Sequence, residues 1–292
     1  MKVIQFTIPV AKDHAVSVQE DILPHYYNHL HRHNEAQISW IIKGTGSLIA
    51  GNYMQPFKAG DIYFLGANQP HIFKSDPPYF DKRNKLRVHA LTFFFNPTGF
   101  FLPLLSLPEM KPVNKFIQHS RFGLQLSESE QHKVVPEMMT VKNSRNAFRL
   151  AAFIRMLQVM ADTRGWKPLS TISAENTFSD LEGLRMNDVY QFTMNNFSDN
   201  IKLGQAAQIA HMTPQAFCRY FKKHTRKTYI NFVNEIRIGE ACKMLHGDRS
   251  ASMSSIAYEV GFSSAVSFNR VFKKVNGTSP KKYMSEFQEQ VS

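Results

Sequence analysis

Phe217-Cys218-Arg219-Tyr220-Phe221-Lys222-Lys223 returns as Phe268-Asn269-Arg270-Val271-Phe272-Lys273-Lys274, 51 residues further along the chain. In a helix, Phe at i and i+4 lies on one face, and Arg at i+2 lies almost opposite. Each copy is therefore an aromatic stripe facing a core with cations facing out. Two such helices in one chain point to a protein that grips an extended polyanion in two places.

The composition agrees. The chain of 292 residues carries 35 Lys+Arg against 23 Asp+Glu, a formal net charge of +12. That excess favours nucleic acid, or less often an anionic membrane surface. Residues 1–180 hold 20 basic against 14 acidic side chains and residues 181–292 hold 15 against 9, so each part is +6 and the shorter second part is the denser. No stretch of about 18 apolar residues exists; the most apolar helical stretch, 147–161, carries Arg149 and Arg155. The opening run MKVIQFTIPVAKDH is broken by Gln and Pro and has no signal-peptide features. The two cysteines, Cys218 and Cys242, form no C-x-x-C and read as reduced structural thiols. The expectation is a cytoplasmic protein with no membrane partner and no cofactor.

Elements must hold the repeats in place. Residues 1–100 read as short strands parted by Gly, Asn and Pro, with runs at 38–42, 47–50, 61–65 and 86–95. That pattern suggests a sandwich or small barrel. From about Glu128 the period turns helical, with Ser127 as a cap and a helix over 145–162. Residues 163–182 are polar, and a linker is expected over 166–182 between domains at 1–165 and 183–292. The rest reads as helices at about 184–196, 202–210, 213–224, 229–246, 252–260, 264–275 and 280–289. Thr213-Pro214 and Ser279-Pro280 are cap-plus-proline starts, Thr228 caps the long helix and Gly247 ends it. The fold class is α+β multidomain: an N-terminal β-barrel with following helices, then an all-α unit.

A short helix and tight turn precede each basic helix. Ala207 and Ala257 are small enough for close helix packing, and His211 and Gly261 stand at the turn, where positive φ is expected. Helix, turn and cationic helix make a helix-turn-helix. The second copy carries Ser255-Ile256-Ala257, Gly261-Phe262-Ser263, the Phe268-to-Lys274 segment and Gly277-Thr278-Ser279-Pro280-x-x-Tyr283. Over about 184–287 the chain resembles the DNA-binding domain of AraC/XylS-family transcription regulators, two helix-turn-helix units joined by a long helix. One departure is Arg226, where the family usually has Gly, so a tighter or differently capped turn is expected there.

On a helical wheel Gln215, Arg219, Lys222 and Lys223 face away from the first stripe. Val266, Arg270, Lys273 and Lys274 do so in the second, with Asn269 at the flank. Arg can pair with guanine O6/N7, Gln with adenine, and Val can touch a thymine methyl. The late lysines and Thr278/Ser279 suit phosphate. The resemblance adds Cys218 and Ala265 to the DNA-reading set. Phe217, Phe221, Phe268, Phe272, Ile236 and Leu245 are expected in cores, and Arg237 as an internal salt-bridge partner.

Over about 20–100 the chain resembles the cupin-like sensor barrel that precedes this DNA-binding domain in the family. The resemblance implies a small-molecule effector in the barrel mouth, with His31, His33, Trp40, Tyr63 and His71 as pocket residues. Phe64 and Phe93 or Phe95 join them if the strand phase allows. Metal-binding cupins use H-x-H, a Glu and a later His; His31, His33 and His71 match, but Gln37 stands at the Glu position. A sensor does not require a metal, and the expectation is none. If there were one, those three histidines would be its ligands; otherwise His31 and His33 line the mouth or hydrogen-bond locally. The apolar face Phe148-Ala151-Ala152-Arg155-Met156-Val159 is either a homodimer contact or packing on its own domain. A metal-dependent cupin enzyme and a DNA-binding protein with no sensor are the competing classes.

Overall fold

The computed structural model describes residues 14–27, 29–50, 53–170, 180–247 and 252–291. The chain divides into two compact units, one of residues 1–53 and 57–183 and the other of residues 54–56 and 184–292.

The first unit begins with strands β1 (Val16–Leu23), β2 (Ala36–Lys43), β3 (Gly46–Ala50), β4 (Tyr53–Phe57), β5 (Ile62–Leu65), β6 (His71–Ser75) and β7 (Val88–Phe95). Helices α1 (Leu102–Leu105) and α2 (Lys111–His119), strand β8 (Leu124–Leu126), helices α3 (Gln131–Asn143) and α4 (Asn146–Asp162) and strand β9 (Trp166–Pro168) complete it. One sheet has the order β1-β7-β2-β5-β8-β9 and the other β4-β3-β6.

The strands read as nearly unbroken apolar runs because the larger sheet is buried on both faces. Its alternation is still strict. Ile38, Ile62, Phe64, Leu91, Phe93 and Phe95 face the helices, where they meet Val113, Val134, Met138, Phe153 and Met156. Ile41, Tyr63, Leu65, Val88 and Ala90 face the smaller sheet, where they meet Leu48, Phe57 and Phe73. This phase separates the expected pocket residues. Trp40 packs against the helix-side core, whereas Tyr63 lies between the sheets. Trp40, Phe64, Phe93 and Phe95 are thus on the wrong face to line the barrel interior.

Helix came earlier and strand later than expected. The helices α1 and α2 precede Glu128, and Ser127 accepts no cap hydrogen bond; it leads into a 3-10 turn, with α3 starting at Gln131. The linker expectation fails at its beginning. Trp166, Lys167 and Pro168 pair with Leu126, Gln125 and Leu124, and the Trp166 indole donates to the Met160 carbonyl at 2.9 Å. Residues 171–179 of that expected linker lie outside the described residues. On α4 the apolar stripe splits: Met156 is fully buried and Arg155 pairs with Glu137 of α3 at 2.6 Å, while Phe148 is 82% exposed.

The second unit is helical: α5 (Asp180–Asn196), α6 (Leu203–Ile209), α7 (Pro214–Thr225), α8 (Tyr229–Gly247), α9 (Met253–Glu259), α10 (Ala265–Asn276) and α11 (Pro280–Val291). The caps are those expected. Thr213 accepts from Ala216 N at 3.3 Å, Thr228 from Asn231 N at 3.2 Å and Ser279 from Lys282 N at 3.3 Å.

Phe153 anchors the helix layer, with ring centroids 6.4, 5.2 and 5.6 Å from Phe93, Phe95 and Phe101. Phe153→Ala is expected to cost the first unit about 3–5 kcal/mol. Urea unfolding followed by tryptophan fluorescence checks this, since both tryptophans, Trp40 and Trp166, lie in that unit.

Candidate nucleic-acid interface and ligand-binding unit

The rotation of α7 and α10 about their axes is set by four phenylalanines. Phe217, Phe221, Phe268 and Phe272 are all 0% exposed. In the first copy Phe217 and Phe221 meet Tyr229 of α8 edge-on, with centroids 5.3 and 5.4 Å away. In the second, Phe268 meets Phe262 at 5.5 Å and Phe272 meets Tyr283 of α11 at 5.5 Å. With those rings inside, helical period turns the cationic face of each helix outward. Gln215, Cys218, Arg219, Lys222 and Lys223 are exposed on α7, as are Val266, Asn269, Arg270, Lys273 and Lys274 on α10. Ser279 is exposed; Ala265 and Thr278 are half-buried. Arg219 and Arg270 make no ion pair among the described residues.

The two copies are not superposable in register. Helices α6 and α9 start 50 residues apart, at Leu203 and Met253, but α7 and α10 start 51 apart, at Pro214 and Ala265. The extra residue sits in the second turn. Both turns nonetheless close with the same hydrogen bond, Met212 N to Ala207 O and Phe262 N to Ala257 O, each 2.9 Å. His211 and Gly261 take the expected left-handed conformation, at φ 54° and 91°. A Cβ on Gly261 would stand 2.7 Å from the Ser198 carbonyl oxygen and 2.9 Å from that of Phe197. The same carbonyl of Phe197, with that of Asp199, accepts from Arg237 at 2.8 Å. Arg237 is therefore internal as expected, but it holds backbone carbonyls rather than a carboxylate. Its guanidinium also lies 5.6 Å from the Phe262 ring, and burial lowers its pKa from the ordinary value.

Two further expectations need correction. Arg226 does not alter the turn after α7: it adopts φ 57° as the left-handed cap, as Gly277 does at φ 75° after α10. The cysteines differ from each other. Cys242 is buried, accepts from Asn276 Nδ2 at 3.2 Å, and has its thiol pKa pushed up by burial. Cys218 is exposed on the cationic face and is not structural.

In the first unit the structure brings three expected residues, His31, His33 and His71, together around Gln37. His31 and His71 form an isolated β-bridge, and His33 and His71 are 4% and 1% exposed. The Nδ1 atoms of His31, His33 and His71 lie 2.9, 2.8 and 2.8 Å from the carbonyl oxygens of His29, Glu35 and Gln69. The Nε2 atoms of His33 and His71 meet Gln37 Oε1 at 3.0 and 3.1 Å. Gln37 Nε2 donates to Ser39, whose hydroxyl lies 3.1 Å from that of Thr92. Burial lowers all three histidine pKa values, that of His31 to about 4. Tyr63 bonds elsewhere, donating to Asp61 at 3.0 Å. The Gln37 hub was visible in the sequence only as a mismatch; its role depends on β2 and β6 meeting at one end.

Two helix-turn-helix units on one long helix, following a two-sheet unit, define a DNA-reading regulator with a separate sensing unit. The family model for an AraC-like ligand binding domain matches residues 14–93, and that for a helix-turn-helix domain matches 206–286. An HTH-type transcriptional regulator from the cgkA 5' region of Pseudoalteromonas carrageenovora is 32% identical over 120 residues, 39% of this chain and 70% of that one. The HTH-type transcriptional regulator YfiF of Bacillus subtilis is 21% identical over 269 residues, 91% of this chain and 81% of that one. The activator RhaR of Mannheimia succiniciproducens is 20% identical over 261 residues, 88% and 87% of the two chains. The chain belongs to the AraC/XylS family of transcription regulators.

The turn geometry gives opposite signs for two substitutions at one structural position. Arg226→Gly is expected to stabilise the second unit, and Gly277→Ala to destabilise it, each by about 1 kcal/mol. Gly261→Ala should cost clearly more than Gly277→Ala, because its Cβ meets backbone while nothing lies within 4 Å of one on Gly277. Thermal or urea melts followed by helical circular dichroism order the three.

Proposed function

We propose that this chain is a sequence-specific transcription regulator that lays α7 and α10 into successive major grooves and answers to a small molecule held in its first unit. The observation that carries the reading is the pair of outward arginines, Arg219 and Arg270, at matching places on two helices whose rotation is fixed by buried phenylalanines. Gln215, Cys218 and Arg219 read bases from α7; Ala265, Val266, Asn269 and Arg270 read them from α10. Lys222, Lys223, Lys273, Lys274, Thr278 and Ser279 hold phosphate. The connector supports the spacing. With 19 residues, α8 is about 28 Å long, close to the ~34 Å between successive major grooves on one DNA face. No helix among the described residues is long and apolar enough to cross a membrane.

The effector reading rests on the ligand-binding-domain match over 14–93 and on the buried polar group at Gln37, His33, His71 and Ser39. A cupin enzyme would leave all of α5–α11 without a role, and a sensor-less DNA binder would leave the first unit without one. The exposed end of α4, with Phe148 and Leu150, is available to a second copy, and a homodimer would let two subunits read paired sites.

Arg219→Ala and Arg270→Ala are each expected to weaken binding to a selected operator by about 1–3 kcal/mol, with relaxed preference at the bases each contacts. Lys273→Ala should weaken all sequences alike and lower the salt dependence by about one phosphate contact. Fluorescence anisotropy across a salt series measures both. Unchanged operator binding in both arginine variants contradicts the assignment.

A further inference from the structure

Three imidazoles and one amide converge at the meeting of β2 and β6, and their hydrogen-bonding arithmetic is incomplete. A neutral imidazole has one N–H and one lone pair. In His33 and His71 the N–H belongs on Nδ1, because each Nδ1 lies 2.8 Å from a backbone carbonyl oxygen that can only accept. Both Nε2 atoms are then lone pairs, and both point at Gln37 Oε1, 3.0 and 3.1 Å away. Three acceptors face one another with no proton among them. A cation between them resolves this. So would turning the Gln37 amide over, so that its NH2 donates to both rings, and the two resolutions have different consequences.

We propose that His31, His33, His71 and the Gln37 amide oxygen form a binding site for a divalent transition metal ion. Each of the three Nδ1 atoms lies at a main-chain carbonyl, of His29, Glu35 and Gln69, which fixes the ring, and in His33 and His71 this leaves Nε2 facing Gln37. The ligand atoms of the three histidines all lie within 4.8 Å of one another. Bonds of about 2.1 Å give neighbouring donors ~3.0 Å apart in an octahedron and ~3.4 Å apart in a tetrahedron, so the 3.0 and 3.1 Å separations at Gln37 already suit an ion. Three neutral nitrogens and one neutral oxygen select Zn(II), Co(II), Ni(II), Cu(II) or Fe(II) over Mg(II) and Ca(II), which prefer carboxylates and water. The ion would tie the 31–33 segment to β2 and β6, adding to the His31–His71 bridge that already joins two of these three pieces of chain.

This inference concerns the first unit alone, and its readout is metal binding, so it stands or falls separately from DNA recognition. The chelator-treated full chain is titrated with Co(II), followed by visible absorption, and with Zn(II) by competition. The expected result is saturation at one ion per chain, with no competition from Mg(II). His33→Ala should weaken binding by at least about tenfold, the loss that removal of an outer-shell partner alone can bring. Gln37→Glu should tighten it by roughly tenfold, since an anion replaces a neutral oxygen. Gln37→Glu keeps the decision open to experiment even if removing a buried histidine prevents folding. An absence of saturable binding in the wild type overturns the proposal and favours the turned amide. Saturable binding that Gln37→Glu leaves unchanged overturns it too, because the ion would then sit elsewhere.

Discussion

The DNA-reading face depends on where four phenylalanine rings go. A helix has one rotational setting that buries Phe217 with Phe221, or Phe268 with Phe272, and any other setting exposes at least one ring. Each ring taken from water contributes about 1.5–3 kcal/mol. A turn of one residue, about 100°, would drive Arg219 or Arg270 toward an apolar core, where an unpaired charge costs several kcal/mol. These terms have the same sign, so the cations face outward because the aromatic residues cannot. The capped starts at Thr213 and Ser264, the left-handed turns at His211 and Gly261, and Arg237 holding the Phe197 and Asp199 carbonyls secure helices whose rotation is already decided.

Where the two copies agree they build this scaffold, and under the proposed function the places where they differ separate the readers. Gln215 stands against Val266, and Cys218 against Asn269. A polar amide and an apolar side chain at the leading end of a recognition helix meet different base edges. The additional residue in the second turn belongs to the same divergence. It shifts the start of α10 relative to α9 while leaving the Phe262-to-Ala257 hydrogen bond intact, so the copies share a fold without being interchangeable.

Much of the second unit was legible in the sequence, because each helix there carries a local start signal and a strong 3.6-residue period. Thr213-Pro214, Thr228 and Ser279-Pro280 all cap as their chemistry dictates. The first unit was less legible. Its larger sheet is apolar on both faces, so alternation gave no phase, and Trp40 and Tyr63 could not be assigned to opposite sides. The strand at 166–168 has three residues and ends in proline, too short for any period, and it exists only because β8 offers an edge. Arg226 was misread because residue type suggests a conformation without compelling it; the helix end imposes φ 57° on an arginine at moderate strain. The distinction between Cys218 and Cys242 is likewise one of helix face rather than residue type.

The central claim is that one chain carries two independent base readers on a single connector. In vitro selection of bound DNA at stated salt, run on the wild type and on Arg219→Ala, tests it most directly. The account predicts a bipartite motif with elements about 10–10.5 base pairs apart, one of which loses its sequence preference in the variant while the other is kept. A single undivided element, or loss of preference across the whole site in Arg219→Ala, would contradict it.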